Sequence, residues 1–349
     1  MSEKKLNVAL IGCGQIAKTH IPAILKKEEC NLYTICDSAD DNRMQLRMEE
    51  VGMPEFCKDH AYTDYRDLVN DPQVDLAIVT THDNSHMEIT CAFLRAGKHV
   101  LLEKPMALRL EECEEMMRAE KESGSRLMVG QVCRYNNNFV QAKKIIDEGK
   151  IGELVFVESE YAHSYRTARG YRDWRVSPDR DGMIGGGCHA VDLLRWIAGN
   201  PTEVHAFANH KYLTDWPVND STIAIYKFPN NVIGKVFCSI GVKRDYTMRT
   251  CIYGTEGTLI FDSRTTEMYL YESKDRNPAG PGWGKAQVIP CTPKGHNMEA
   301  EISDFMDAIL ADKPTPISAL EGASTVAVCC ATVESAKTGA SVEIKYPAV

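Results

Sequence analysis

From Leu6 to about Gly130 the chain alternates short, β-branched apolar runs with stretches of helical spacing, and this alternation constrains the fold more than any other feature of its 349 residues. LNVALIG (6–12), NLYTICD (31–37), DLAIVTT (75–81), KHVLLEK (98–104) and SRLMVG (125–130) read as strands. Between them QIAKTHIPAILKK, SADDNRMQLRMEEVG, HMEITCAFLRAG and LEECEEMMRAEKESG carry helical spacing and often end in glycine. Strands that are apolar at nearly every position are buried on both faces, as in a parallel sheet covered by helices. Residues 1–130 are therefore expected to form a doubly wound α/β domain.

After about Lys150 the period changes. ELVFVESEYAHS, EVHAFANHKYL, STIAIYKF, NVIGKVFCSI, MRTCIYGTEGTLIFD and MYLYES alternate apolar and polar residues without long helices between them, which predicts a large, mostly antiparallel sheet. Such a sheet is open on one face and offers a surface for self-association, so a homodimer or homotetramer is expected. One helix, HAVDLLRWIAG, interrupts it, and the chain ends in two more, MEAEISDFMDAILAD and LEGASTVAVCCATVESAKTG, placed to pack back on the first domain. A length of 349 residues exceeds what one core serves, and residues 131–349 form the expected second, α+β domain.

Composition excludes several classes. The net charge of -9, with lysines and arginines scattered, argues against a nucleic-acid partner. No stretch reaches the length of a membrane span and the start lacks the pattern of a signal peptide, so a cytoplasmic protein with no membrane partner is expected. The 13 cysteines sit in apolar runs without the paired spacings of a zinc site or the regularity of a disulfide framework. They read as reduced core residues, and no metal site is predicted.

GCGQIA (12–17) closes the first strand and opens a helix. Gly12 permits the tight turn, Gly14 lets the backbone approach a pyrophosphate, and Ala17 allows close helix–strand packing, the pattern of a Rossmann dinucleotide site. The amides of Gln15 and Ile16 at the helix start complete the anion cradle. Asp37, at the end of the second strand, is placed to accept hydrogen bonds from a ribose diol, which favours NAD. Ser38 beside it and Arg43 one turn on are placed to receive a 2'-phosphate, which leaves NADP open.

The fifth strand ends in Glu103 and Lys104, at the sheet edge where ligands of open α/β folds gather, and Pro105 fixes the turn. There the Lys104 cation can polarise a hydroxyl. The same spacing also suits a surface lysine paired with Glu103. In GGGCHAVD (185–192), three glycines permit close backbone approach before His189, whose ordinary pKa of ~6.5 suits proton transfer. A core histidine at a helix start is the competing reading. Asp192 lies one helical turn further on, while Tyr161, His163 and Tyr165 are placed to line a second-domain pocket, with packing, the more frequent role of strand aromatics, as the competing reading.

These segments resemble the glucose-fructose oxidoreductase / inositol dehydrogenase / rhizopine-catabolism (Gfo/Idh/MocA) family. The resemblance rests on GCGQIA, THDNSH (81–86), AGKHVLLEKPMA, EGKIGELVFVES, DWR (173–175) and GCHAVDLLRWIAG (187–199), and it spans nearly the whole chain. It implies an NAD(P)-dependent sugar- or inositol-type dehydrogenase, with the substrate held between the two domains. It also implies that Lys104 hydrogen-bonds the reacting hydroxyl and His189 acts as general base, with Arg175 and Asp192 on the substrate. Thr80, Thr81, His86, Glu103, Trp174 and Arg175 then flank the cofactor. One departure stands out: many dehydrogenases of the family read D-x-G-x-H-x-x-D, and the first Asp falls at Gly185, so that either Asp192 or another acid such as Asp181 is a substitute or the substrate sits differently. Two rivals remain, a redox-neutral NAD-using enzyme that cleaves glycosides and a sugar- or dinucleotide-sensing regulator.

Overall fold

The structure, a computed structural model, describes residues 5–39, 41–166, 173–273 and 285–348. Its strands are β1 (Leu6–Ile11), β2 (Cys30–Cys36), β3 (Ala61–Tyr62), β4 (Leu76–Val79), β5 (His99–Glu103), β6 (Leu127–Gly130), β7 (Leu154–Ala162), β8 (Glu203–Asn209), β9 (Ser221–Lys227), β10 (Ile233–Ser239), β11 (Arg249–Gly254), β12 (Gly257–Asp262), β13 (Glu267–Glu272), β14 (Gln287–Pro290) and β15 (Val342–Glu343). The helices are α1 (Ala17–Lys26), α2 (Arg43–Glu50), α3 (Cys57–His60), α4 (Arg66–Val69), α5 (His86–Arg95), α6 (Leu110–Ser123), α7 (Asn137–Asp147), α8 (Gly182–Gly185), α9 (Cys188–Ala198), α10 (Met298–Leu310) and α11 (Ala319–Thr338). None is long and apolar enough to cross a membrane. The chain divides into two compact units, one of Met1–Gln131, Met298–Ala323 and Pro347–Val349, the other of Val132–Asn297 and Ser324–Tyr346.

The first unit is a parallel sheet in the order β3-β2-β1-β4-β5-β6. Its central strand β4, LAIV, is fully buried, as the near-continuous apolar runs require, and Leu76, Ile78 and Val79 each contribute roughly 1.5–3 kcal/mol. Helix α1 packs on β2 and α10, and on the surface Lys27 pairs with Asp307 of α10 at 2.6 Å. The sequence reading lacks β3, because a two-residue strand has no period to read.

The second unit is a nine-stranded sheet in the order β14-β13-β12-β11-β7-β10-β9-β8-β15. It is mostly antiparallel, with one parallel pair at its centre, β7 and β10; between them the chain passes through α8 and α9 and then forms β8 and β9 of the same sheet. Helix α9 covers β7 and β10, and its buried face is nearly continuous from Cys188 to Arg195. On β9 the alternation is strict: Thr222, Ala224 and Tyr226 are buried, while Ile223 and Ile225 face outward. MRTCIYGTEGTLIFD is two strands, β11 and β12, separated by Thr255 and Glu256.

At the end of β11 the pairing with β7 shifts register at Gly254, where a Cβ would lie 2.0 Å from the carbonyl oxygen of Ile151. Backbone on both sides leaves nothing to move aside. Gly254→Ala is expected to cost about 1–3 kcal/mol in urea unfolding, and a variant as stable as the parent would show that this contact yields.

Candidate active site

The first unit holds the glycine turn, Asp37, the loop after β4 and Lys104. Gly12 adopts φ +101°, and a Cβ there would stand 2.7 Å from the carbonyl oxygen of Thr80. The N–H of Gly12 donates to the Cys36 carbonyl at 2.7 Å, and the Thr80 hydroxyl donates to the Gly12 carbonyl at 2.5 Å. The turn is therefore pinned by β2 on one side and by the end of β4 on the other. Gly14 has open space where its Cβ would be, and α1 begins without a side-chain cap and without an acidic residue in its first turn. An uncapped helix start behind a glycine is a place for a phosphate.

Asp37 is buried at the tip of β2. Its Oδ2 accepts the Cys13 N–H at 2.6 Å and its Oδ1 accepts the Ala39 N–H at 2.9 Å, which fixes the carboxylate beside the glycine turn. Ser38 and Gln15 are exposed, and Ile16 is half-buried. Arg43 makes a fork with Asp41, its Nε 2.8 Å from Oδ1 and its Nη2 2.7 Å from Oδ2, and lies 3.8 Å from Asp37.

Past β4, the Thr81 hydroxyl accepts from Ser85 at 3.0 Å, and His86 is buried. The Nδ1–H of His86 donates to the Pro105 carbonyl at 3.0 Å, and its buried Nε2 has no partner among the described residues. The Lys104–Pro105 bond is cis. Glu103 is buried and takes Nε2 of His20 at 2.9 Å and the Lys104 N–H at 3.1 Å. Burial raises the Glu103 pKa, but the His20 hydrogen bond and charge and the adjacent Lys104 outweigh it and hold the group at about 2. The open cradle, the uncapped helix and the orphaned His86 nitrogen all fit a dinucleotide in this unit.

Glu301 of α10 lies in the same region, its Oε1 3.6 Å from where a Gly130 Cβ would be. It is fully buried and neither carboxyl oxygen has a hydrogen-bond partner among the described residues. Burial, reinforced by the charge of Glu103 and opposed by Lys104, pushes its pKa well above the usual carboxyl value of 4.5. The sequence gives no sign of this group, since it reads as one polar position on an amphipathic helix.

The second unit holds His189, Asp192, Trp174 and Arg175. Asp192 is buried under Arg134, whose Nε and Nη2 donate at 2.8 and 2.7 Å, and it also accepts from Thr325 at 3.1 Å. Its carboxylate is thus engaged in an ion pair that ties α9 to the turn at 132–135. Asp181 caps α8 by accepting the Met183 N–H at 2.8 Å, and burial raises its pKa. The guanidinium groups of Arg175 and Arg180 stack over Trp174 at 4.3 and 4.9 Å.

The glycines before His189 serve packing. A Cβ at Gly185 would meet the Arg180 guanidinium, at Gly186 the Tyr165 hydroxyl and the Tyr161 ring, and at Gly187 the Met183 backbone, all within 3 Å. Arg180 therefore fills the place at which the family pattern has an acid. His189 itself is buried, with Nδ1 3.3 Å from Sγ of Cys133 and its ring stacked on Tyr161 at 6.0 Å. Tyr161 contacts His163 and Tyr165 through its hydroxyl at 3.1 and 3.2 Å, and Tyr246 packs on His163 with ring centroids 4.8 Å apart. His296 joins from the loop before α10, its ring 5.4 Å from His189. Cys133, Tyr246 and His296 belong to this cluster and carry no sequence motif; only the fold brings them to His189.

Residues 6–131 match the oxidoreductase family with an NAD-binding Rossmann fold, and residues 139–260 match the GFO/IDH/MocA C-terminal domain. The chain is 27% identical over 284 residues to a myo-inositol 2-dehydrogenase of Thermotoga maritima, covering 78% of this chain and 80% of that one. It is 30% identical over 257 residues to an uncharacterized oxidoreductase of Escherichia coli K12, covering 73% and 71%. Among solved structures, levoglucosan dehydrogenase in complex with NADH and L-sorbose superposes with a TM-score of 0.87 over 99% of this chain and 100% of that one. At 23% identity that likeness is one of fold.

The buried Glu301 sets a pH dependence. A carboxyl whose folded pKa is raised supports the fold below its ordinary value of 4.5 and costs stability as pH climbs toward the folded value. Glu301→Gln is expected to match the parent near pH 4.5 and to exceed it by about 1–3 kcal/mol near pH 8 in urea unfolding; an equal difference at both pH values would refute the assignment.

Proposed function

The chain belongs to the Gfo/Idh/MocA family of oxidoreductases, and from that premise we propose that it moves a hydride between NAD and the carbon of a secondary alcohol of a sugar, cyclitol or related polyol. The observation that carries the reading is the fixed backbone at Lys104. Its N–H is held by Glu103, and the next residue's carbonyl is held by His86, so the ammonium projects from a rigid point at the carboxyl edge of β5. The name of the Thermotoga relative, a myo-inositol 2-dehydrogenase, supports a polyol substrate.

NAD, when bound, supplies the hydride acceptor. Gly12, Gly14 and the amides of Gln15 and Ile16 hold the pyrophosphate, Asp37 takes the ribose diol, and Thr80, Thr81, His86 and Glu103 wall the loop beside it. Asp37 repels a 2'-phosphate, and Arg43, forked onto Asp41, is already engaged. Both features favour NAD over NADP, with Ser38 a neighbour of the ribose.

Lys104 donates to the substrate oxygen, which lowers the cost of developing negative charge there. His189 takes the hydroxyl proton during oxidation and returns it in the reverse direction. With Nδ1 turned to Cys133, Nε2 is the nitrogen assigned to that exchange. Arg175, stacked on Trp174, orients the substrate, and Asp192 acts by fixing Arg134 and the start of α9 rather than by a direct contact. Lys104→Met is expected to lower kcat by about 10²–10³ while NAD still binds, read as NADH formation across a panel of inositols, aldoses, anhydrosugars and glycosides. Full turnover in that variant would refute the assignment, and glycoside cleavage without net NADH would replace the dehydrogenase reading with the redox-neutral one.

The open face of the second sheet supports self-association. Phe207, Ile223, Ile225 and Ile233, on β8, β9 and β10, are 66%, 42%, 56% and 50% exposed; Phe207 stands opposite Ile223, while Ile225 and Ile233 lie on the same face beside Lys235 and Lys227. Monomers rarely leave such a face uncovered. Phe207→Glu combined with Ile225→Glu is expected to shift the protein toward monomer in light scattering, and an unchanged mass would place the interface elsewhere.

A further inference from the structure

We propose that Cys133, His189 and His296 form a binding site for one borderline-soft divalent cation of the zinc type, with one coordination position left open. Sγ of Cys133 lies 3.3 Å from Nδ1 of His189 and 3.9 Å from Nε2 of His296, and the three donor atoms all lie within 4.8 Å of one another. In a tetrahedral zinc site, with Zn–S near ~2.3 Å and Zn–N near ~2.0 Å, neighbouring donor atoms stand about 3.3–3.6 Å apart. The Cys133–His189 edge already has that length. The Cys133–His296 edge, at 3.9 Å, closes by a few tenths of an ångström, and the His189–His296 edge, within 4.8 Å, closes by up to about 1 Å; the side chain that must turn, His296, is the exposed one of the three.

The donors are held in place by bonds that flank each of them. Arg134, next to Cys133, forms the bidentate pair with Asp192, one turn along α9 from His189, so a single ion pair sets the spacing of two donors. The chain on either side of His296 is anchored, leaving its side chain to turn: Asn136 donates its side-chain N–H to the Gly295 carbonyl at 3.1 Å, and Asn297 donates to the Tyr135 carbonyl at 3.4 Å. Residues 133–136 thus anchor the segments that carry both histidines. Support of this kind is what metal ligands require.

One thiolate and two imidazoles select zinc, cobalt or a similar ion over magnesium or calcium, which demand oxygen donors. The set carries one negative charge, and three protein ligands with a vacant fourth position make an open site to which water or a substrate oxygen can bind. The Tyr246 hydroxyl, 3.2 Å from Nε2 of His296, is the group that an entering ion displaces. An ion on Nδ1 of His189 leaves the proton on Nε2, so the loaded imidazole can no longer accept one. This last consequence, though not the site itself, rests on the role proposed above for His189, and it makes the ion an inhibitor of turnover.

The test uses the full chain, freed of metal by chelation and titrated with Zn²⁺ and with Co²⁺. One equivalent is expected to bind, with the visible bands of tetrahedral cobalt and a thiolate-to-cobalt charge-transfer band. Cys133→Ser abolishes the charge-transfer band, and His296→Gln weakens binding by about a hundredfold. The absence of stoichiometric binding, or a cobalt spectrum unchanged in Cys133→Ser, overturns the proposal. Should Cys133→Ser fail to fold, His296→Gln carries the decision, since it alters an exposed side chain. Turnover separates the two readings: a filled site with unchanged turnover supports the metal site and removes His189 as the base, whereas an unfilled site with normal turnover overturns the metal site alone.

Discussion

In both units the backbone comes closer to its neighbours than any side chain would allow, and the candidate site depends on those contacts. At Gly12 the chain turns over the Thr80 carbonyl with a left-handed φ that other residues rarely adopt. That contact holds the tips of β1, β2 and β4 together, and Asp37 and Thr80 take their positions from it. At Gly186 the backbone passes the Tyr161 ring and the Tyr165 hydroxyl at distances that would place a Cβ inside them. The first turn of α9, and with it His189, is thereby pressed against an aromatic cluster.

Buried charge is treated in two different ways. Asp192 is fully buried yet has a forked arginine and a hydroxyl, which offsets its desolvation. Glu103 is compensated in the same manner by His20 and by a backbone N–H. Glu301 has no such partner among the described residues and is held neutral. A neutral acid beside an ionised one limits the negative charge that gathers around Lys104.

Local pattern made much of this legible. The doubly wound sheet follows from near-continuous apolar strands separated by helices, and the mostly antiparallel sheet follows from alternation such as that of β9. β3 and β15 escape the pattern because two residues hold no period, and the parallel pair β7 and β10 escapes it because alternation does not encode strand direction. Of the site, the glycine turn, Asp37 and Lys104 stand in short contiguous motifs tied to the ends of strands. The glycines at 185–187 are visible too, but their purpose is not. They read as room for a substrate, whereas their neighbours are Arg180, Tyr161, Tyr165 and Met183.

The sequence by itself determined the two periods, the dinucleotide turn and the family to which the chain belongs, because each is a matter of residues adjacent in the chain. The tertiary structure alone decided that Arg134 takes the Asp192 carboxylate and that Glu301 lies buried without a partner. It also decided that Cys133 and His296, 56 residues before and 107 after His189, meet at its ring. Side-chain convergence across such separations depends on how strands and helices pack, and no local spacing records it.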